Sequence, residues 1–162
     1  MRTWILNQFR LDGQAALVVG GNRGLGFEIS KALAEAGASI FIAARDARRN
    51  SEARNYIARE YSRECADIAC DVTDAEQVAA TAIAADKRFG RIDILVNNAG
   101  ITWGSPAEEF PLDKWNMVLE IDLTAAFLFS QAAGREMIRQ GYGRIINVAS
   151  IMGMIGTMPE LD

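Results

Sequence analysis

The stretch LVVGGNRGLGFEIS, Leu17–Ser30, runs from apolar residues straight into glycines and out into an amphipathic pattern. Gly20, Gly24 and Gly26 set a G-x-x-x-G-x-G spacing. The run before them, Ala15–Val19, is short and continuously apolar, as a strand buried on both faces would be. From Gly24 to Ala36, the residues Leu25, Ile29, Ala32, Leu33 and Ala36 recur on one side of a helical pattern, and Gly37 stops it. A strand therefore turns into a helix through a bend that carries almost no side chains.

The same alternation continues outward. Ser39–Ala44, SIFIAA, is a second short apolar run, and residues 47–60 are polar and helix-compatible. Cys65–Cys70 is a weaker strand candidate. Thr73 or Asp74 can cap a helix that runs to Phe89 and ends at Gly90. Ile92–Val96 reads as a strand, residues 112–139 as a long helix with Leu112–Trp115 as a separate first turn, and Arg144–Ala149 as a last strand. Five strands alternating with four helices call for an α/β fold, a parallel sheet built from right-handed crossovers. There is no repeat and no linker, so residues 1–162 are expected to form a single domain.

Glycine lets a backbone approach a ligand closely, and the following helix offers free N–H groups and the positive end of its dipole. Together these favour a pyrophosphate. A dinucleotide site expects an acidic residue about 20 residues on, at the end of the second strand, for the ribose 2′-hydroxyl. Here the chain reads FIAARDARR, with Ala44 at the strand end, Arg45 next, and Asp46 one residue late. An arginine suits a 2′-phosphate, and Arg23 sits inside the glycine turn beside it. The pair points to NADP, with NAD as the alternative.

Composition excludes several classes. Half of the residues are hydrophobic and 23% charged, the net charge is −4, and no basic block argues for nucleic acid. There is no histidine, hence neither the commonest metal ligand nor the commonest general base. No metal site is expected. Cys65 and Cys70 form no CxxC, and two cysteines make no disulfide framework, so both read as small apolar fillers in a cytoplasmic protein. Residues 1–13 lack a leader pattern, and no window of 18 unbroken apolar residues argues for a membrane span.

The motifs GGNRGLG (Gly20–Gly26), CDV (Cys70–Val72), NNAG (Asn97–Gly100), DLTAAF (Asp122–Phe127) and GRIINVAS (Gly143–Ser150) fall in one order along nearly the whole chain. In that order and spacing the sequence resembles the short-chain dehydrogenases/reductases, and within them the sugar-acid and polyol oxidoreductases of the gluconate 5-dehydrogenase kind. The resemblance implies a Rossmann-type doubly wound sheet with strand order 3-2-1-4-5, and a hydride transfer between a nicotinamide and a carbonyl or secondary alcohol. It implies that Gly20, Asn22, Arg23, Gly24, Leu25 and Gly26 cradle the cofactor, with Ala44 and Arg45 at its ribose. Asp71 and Val72 would meet the adenine, and Asn98, Ala99 and Gly100 would line the cofactor beyond the fourth strand while Asn97 steadies the neighbouring strands. By itself, Asp71 also reads as an N-cap for the helix after Thr73. Ser150 matches the catalytic serine. A homodimer or homotetramer packed partly through the long helix 112–139 is implied as well.

Two positions depart from the family pattern. Val19 stands where threonine is usual, and Asp122 stands where a catalytic asparagine is usual. An ionised aspartate cannot donate as asparagine does, although the family's relay water is held by that residue's main-chain carbonyl. The family's Tyr-x-x-x-Lys acid/base pair has no match. None of Tyr56, Tyr61 and Tyr142 is followed four residues later by lysine, and Lys31, Lys87 and Lys114 are the only lysines. The resemblance places the pair, and further strands, just past Asp162. The 162 residues are therefore read as part of a longer protein, with its C-terminal strands missing and inactive alone. The rival reading is a non-catalytic dinucleotide-binding or interaction module.

Overall fold

The computed structural model describes residues 5–153. Residues 1–4 and 154–162 lie outside the described residues, and with them the start of the N-terminal reading and the chain after Gly153. Five strands form one parallel sheet: β1 (Ala15–Val19), β2 (Ser39–Ala44), β3 (Cys65–Ala69), β4 (Ile94–Asn97) and β5 (Arg144–Asn147). Their order is β3-β2-β1-β4-β5, as the sequence reading expects. Helices α1 (Gly24–Ala36), α2 (Ala47–Tyr61) and α3 (Ala75–Phe89) connect the first four strands. A long helical stretch leads to β5: α4 (Leu112–Leu119), a π-helical segment Glu120–Thr124, and α5 (Ala125–Gln140).

The core lies in two layers, one on each face of the sheet. Ala34 of α1 and Ala53 and Ile57 of α2 pack with Val18, Ile40, Ile42 and Val96 on one face. Val78 and Ala82 of α3 and Phe129 and Ala133 of α5 pack with Leu17, Phe41 and Leu95 on the other. Strands covered twice must be apolar at every position, and β1 is buried along its whole length. β5 differs. It stands at the sheet edge with Ile145 and Ile146 41% and 47% exposed.

Several boundaries move. β3 stops at Ala69, β4 runs Ile94–Asn97 rather than Ile92–Val96, and β5 ends at Asn147. Leu112–Trp115 is no separate turn; α4 is regular through Leu119, and the irregularity falls at Glu120–Thr124, where a π segment widens the helix. The helix after β3 is capped by Asp74, whose carboxylate accepts from the N–H groups of Glu76 and Gln77. The apolar side read for α1 is also corrected. Its fully buried residues are Gly26, Ser30 and Ala34, and Leu25 is 69% exposed. The helix lies too close to the turn for large side chains: a Cβ at Gly26 would stand 2.1 Å from the Gly20 carbonyl oxygen.

By length and composition alone, Leu112–Gln140 is apolar enough to cross a membrane, although it holds no long unbroken apolar run. One face of it packs on α3 through Ala125, Phe129, Ala133 and Met137. On the rest of its surface Trp115, Leu119, Leu123 and Phe127 are exposed at four-residue spacing.

Candidate functional site

Parallel strands of a doubly wound sheet leave a crevice beyond their C-terminal ends, where the chain order reverses. Here that reversal lies between β1 and β4, adjacent strands whose helices pack on opposite faces. A cavity of about 490 Å³ opens there. Its floor is the glycine turn, through Gly20, Asn22, Arg23 and Gly24. One wall is Ala44 and Arg45 after β2, and Val72 after β3. The other is Asn98, Ala99 and Gly100 after β4. Ten of the thirteen residues assigned to the cofactor from sequence thus meet in one cavity.

The other three do not line it. Gly26 is buried under the turn, Leu25 faces outward, and Asp71, next to Val72 in the chain, is half-buried outside the lining. Asp71 caps no helix either. Its Oδ1 accepts from the Thr73 N–H at 3.0 Å and from the Thr73 hydroxyl at 2.9 Å. These bonds, the backbone one first, hold its carboxyl below the usual carboxylate range, and the nearby Arg45 charge adds to them.

The start of α1 has the chemistry a pyrophosphate needs. The first bond of its ladder runs from Phe27 N–H to the Arg23 carbonyl at 3.2 Å, and Arg23 offers no side-chain cap. The N–H groups of Gly24, Leu25 and Gly26 precede that bond. Gly24 has φ of +52° and open space where a Cβ would project, so an oxygen ligand can reach this backbone. On the opposite wall the Asn98 amide reaches the Gly20 carbonyl at 3.4 Å, bracing the two loops against each other.

The charges at the β2 end sort by partner. Asp46 caps α2, accepting from the Arg49 N–H at 3.0 Å, and its other oxygen lies 3.4 Å from Arg49 Nε. That backbone bond holds Asp46 below the usual carboxylate range. Arg48 pairs with Glu52 at 2.7 Å, whereas Arg23 and Arg45 have no salt bridge among the described residues. Arg23 and Arg45 thus line the cavity with no salt bridge among the described residues, and the Asp46 carboxylate beside them is occupied by its own helix.

The remaining site candidates stand beside the cavity rather than in it. Asp122 lies in the π segment, and its Oδ1 accepts from the Ile101 N–H at 2.9 Å, so it props the loop that follows β4. Ser150 is exposed three residues beyond β5, at the same end of the sheet, and its Oγ accepts from Met152 N–H at 3.2 Å. Asn97 bonds the Ala126 carbonyl, the Ser130 hydroxyl and, at 2.8 Å, Asn147, which ties β4 to α5 and β5. Among the described residues no cluster could hold a metal ion.

Sequence reasoning missed Arg49, Ile101 and Ile121 as lining residues, and cast Asp46 only as a late carboxylate. Ile101 follows NNAG directly and was within reach of the motif. Ile121 carries no motif; it is the buried residue of the π segment. Buried Asn50, behind the Ala44 wall, was also missed.

Comparisons with known proteins bear on the family and the fold. Residues 14–159 match the family described as short chain dehydrogenase. D-threitol dehydrogenase of Mycolicibacterium smegmatis is 45% identical over 145 residues, which cover 88% of this chain and 54% of that protein. The crystal structure of an NAD+-bound xylitol dehydrogenase is 36% identical with a TM-score of 0.87, over 90% of this chain and 56% of that one. The Pseudomonas aeruginosa RhlG/NADP active-site complex is 34% identical with a TM-score of 0.85, over 93% of this chain and 59% of that one. The chain thus spans little more than half the length of these relatives.

Proposed function

The chain belongs to the short-chain dehydrogenase family, and from that premise we propose that it forms the cofactor-binding part of an NADP-preferring oxidoreductase. The reaction is hydride transfer between the nicotinamide and a secondary alcohol or carbonyl of a small polyol or sugar acid. Support for the substrate class is the likeness to a threitol and a xylitol dehydrogenase. Similar structures hold NAD+ in one case and NADP in another, so likeness alone leaves the cofactor open. The observation that carries the NADP preference is local: Arg23 and Arg45 line the cavity with no salt bridge among the described residues while Asp46 is consumed as the α2 cap.

In this reading the free N–H groups at the start of α1 bind the pyrophosphate, and the two arginines bind the 2′-phosphate. The bound nicotinamide would supply or accept the hydride. Ser150 would hydrogen-bond the substrate oxygen, and Asp122 would support the proton path through its main chain. The sequence has no Tyr-x-x-x-Lys pair, so a polypeptide of these 162 residues is proposed to bind the dinucleotide without turnover. No observation favours a purely non-catalytic module.

The exposed stripe Trp115, Leu119, Leu123 and Phe127 supports assembly of two or four copies through the long helix, and the packing of its other face on α3 favours that over a membrane span. Free Cys65 and Cys70 support a cytoplasmic location. The test is a fluorescence titration of the full-length protein with NADPH and NADH. NADPH is expected to bind at least about tenfold tighter, and Arg45→Ala to remove most of that margin. Equal or tighter binding of NADH would sink the reading.

A further inference from the structure

Asn50 is the fourth residue of α2 and is completely buried, although it is polar. Buried amides persist where every group is bonded, and this one is fully used. Its Nδ2 donates to the carbonyls of Ala44 and Ile68, both at 2.8 Å, and its Oδ1 accepts from Asn22 Nδ2 at 2.7 Å. One side chain thus joins the end of β2, the end of β3 and the glycine turn. The residues it grips are informative. Ala44 directly precedes Arg45, and Asn22 directly precedes Arg23. Asn50 does not itself line the cavity, so it acts on the site only through the Ala44 and Ile68 backbone and the Asn22 side chain it holds.

We propose that Asn50 is a positioning residue for the 2′-phosphate end of the dinucleotide site, fixing the separation of Arg23 and Arg45. The inference rests on the NADP reading above. The chemistry selects asparagine. Two carbonyls require two N–H donors, and the Asn22 amide requires an acceptor, all without net charge. Leucine would fill the space and leave both carbonyls without this partner. Aspartate would keep the acceptor but turn an oxygen toward two other oxygens.

The test uses the full-length protein with Asn50→Leu and Asn50→Asp, each checked for folding by circular dichroism. Calorimetric affinities for NADPH, NADH and 2′,5′-ADP are measured. A role confined to stability would lower the melting temperature and leave the NADPH-to-NADH affinity ratio alone. Positioning predicts that the ratio falls about tenfold in a folded variant, with 2′,5′-ADP weakened in parallel. It also predicts that Asn50→Leu with Arg45→Ala loses no more preference than Arg45→Ala alone. If both single variants fail to fold, Asn50→Ser carries the same comparison. An unchanged ratio in a folded variant overturns the inference alone. An unsubstituted protein that binds neither nucleotide, or shows no NADPH margin, overturns the cofactor reading along with it.

Discussion

Helices α1 and α3 both follow a strand of the same sheet, at the C-terminal end of its parallel strands, yet they begin in opposite ways. α3 opens on Asp74, whose carboxylate takes the N–H groups of Glu76 and Gln77, with the Gln77 amide folded back onto it at 2.8 Å. Its first turn is closed by its own side chains. α1 opens on Arg23, which caps nothing, and its first residue, Gly24, lines a cavity flanked by two arginines with no salt bridge among the described residues. A capped start is finished by the fold alone. An uncapped start beside positive charge and bare glycine backbone is completed by an anion. α2 makes the same point between them, since Asp46 seals its start at the edge of the cavity.

The largest expected effect is at Gly26. Gly26→Ala would push a methyl group to 2.1 Å from the Gly20 carbonyl oxygen, which forces α1 off the turn. Dinucleotide affinity should fall by about 100-fold or more, read by calorimetry, because a small misplacement of a binding backbone is costly. Affinity close to that of the unsubstituted protein would show that the close approach is dispensable.

A sharper test makes α1 resemble α3. Arg23 has φ of −160° and ψ of 165°, the extended geometry an N-cap adopts. Arg23→Asp should cap the helix and add about 0.5–1 kcal/mol of stability while weakening NADPH at least about tenfold. The opposite change strips the cap from α3. Asp74→Ala should lower the midpoint of a denaturant melt and leave NADPH affinity unaltered. If Asp74→Ala weakened NADPH as Arg23→Asp does, the contrast between the two helix starts would lose its meaning.

The smallest expected effect is on pH. Asp46, Asp71 and Asp74 are each held below the usual carboxylate range by backbone N–H donors, from Arg49, Thr73 and Gln77 respectively. A carboxylate whose pKa is lower when folded stabilises the fold above its unfolded value of about 4, and loses that contribution as pH falls. The melting temperature should therefore be level above about pH 5 and decline below about pH 4. A melting temperature that stayed constant through that acid range would contradict this. Cysteine points the other way: burial pushes the Cys65 thiol up to about 12, so iodoacetamide at mildly alkaline pH should spare it until the protein unfolds.

The fold was legible because each strand in the core is covered on both faces, which writes an unbroken apolar run into Ala15–Val19 and Ser39–Ala44. The cavity was legible where glycine or a charge is required by the turn itself, as at Gly20, Gly24 and Arg45. What stayed hidden depends on contacts between distant segments. The buried side of α1 is built from Gly26, Ser30 and Ala34 because the turn crowds it, and hydrophobic spacing pointed instead to Leu25. Asn50 looked like one more polar residue in a polar helix; only β2, β3 and the glycine turn around it make it a latch. Asp122 shows the same limit, since nothing in DLTAAF reveals that its carboxylate bonds Ile101 N–H.

The contrast between α1 and α3 can be read residue by residue from backbone amide resonances during an NADP+ titration. The N–H signals of Gly24, Leu25 and Gly26 should shift as the nucleotide saturates, and those of Glu76 and Gln77 should stay in place. Saturable binding that leaves the α1 amides unmoved would contradict the account.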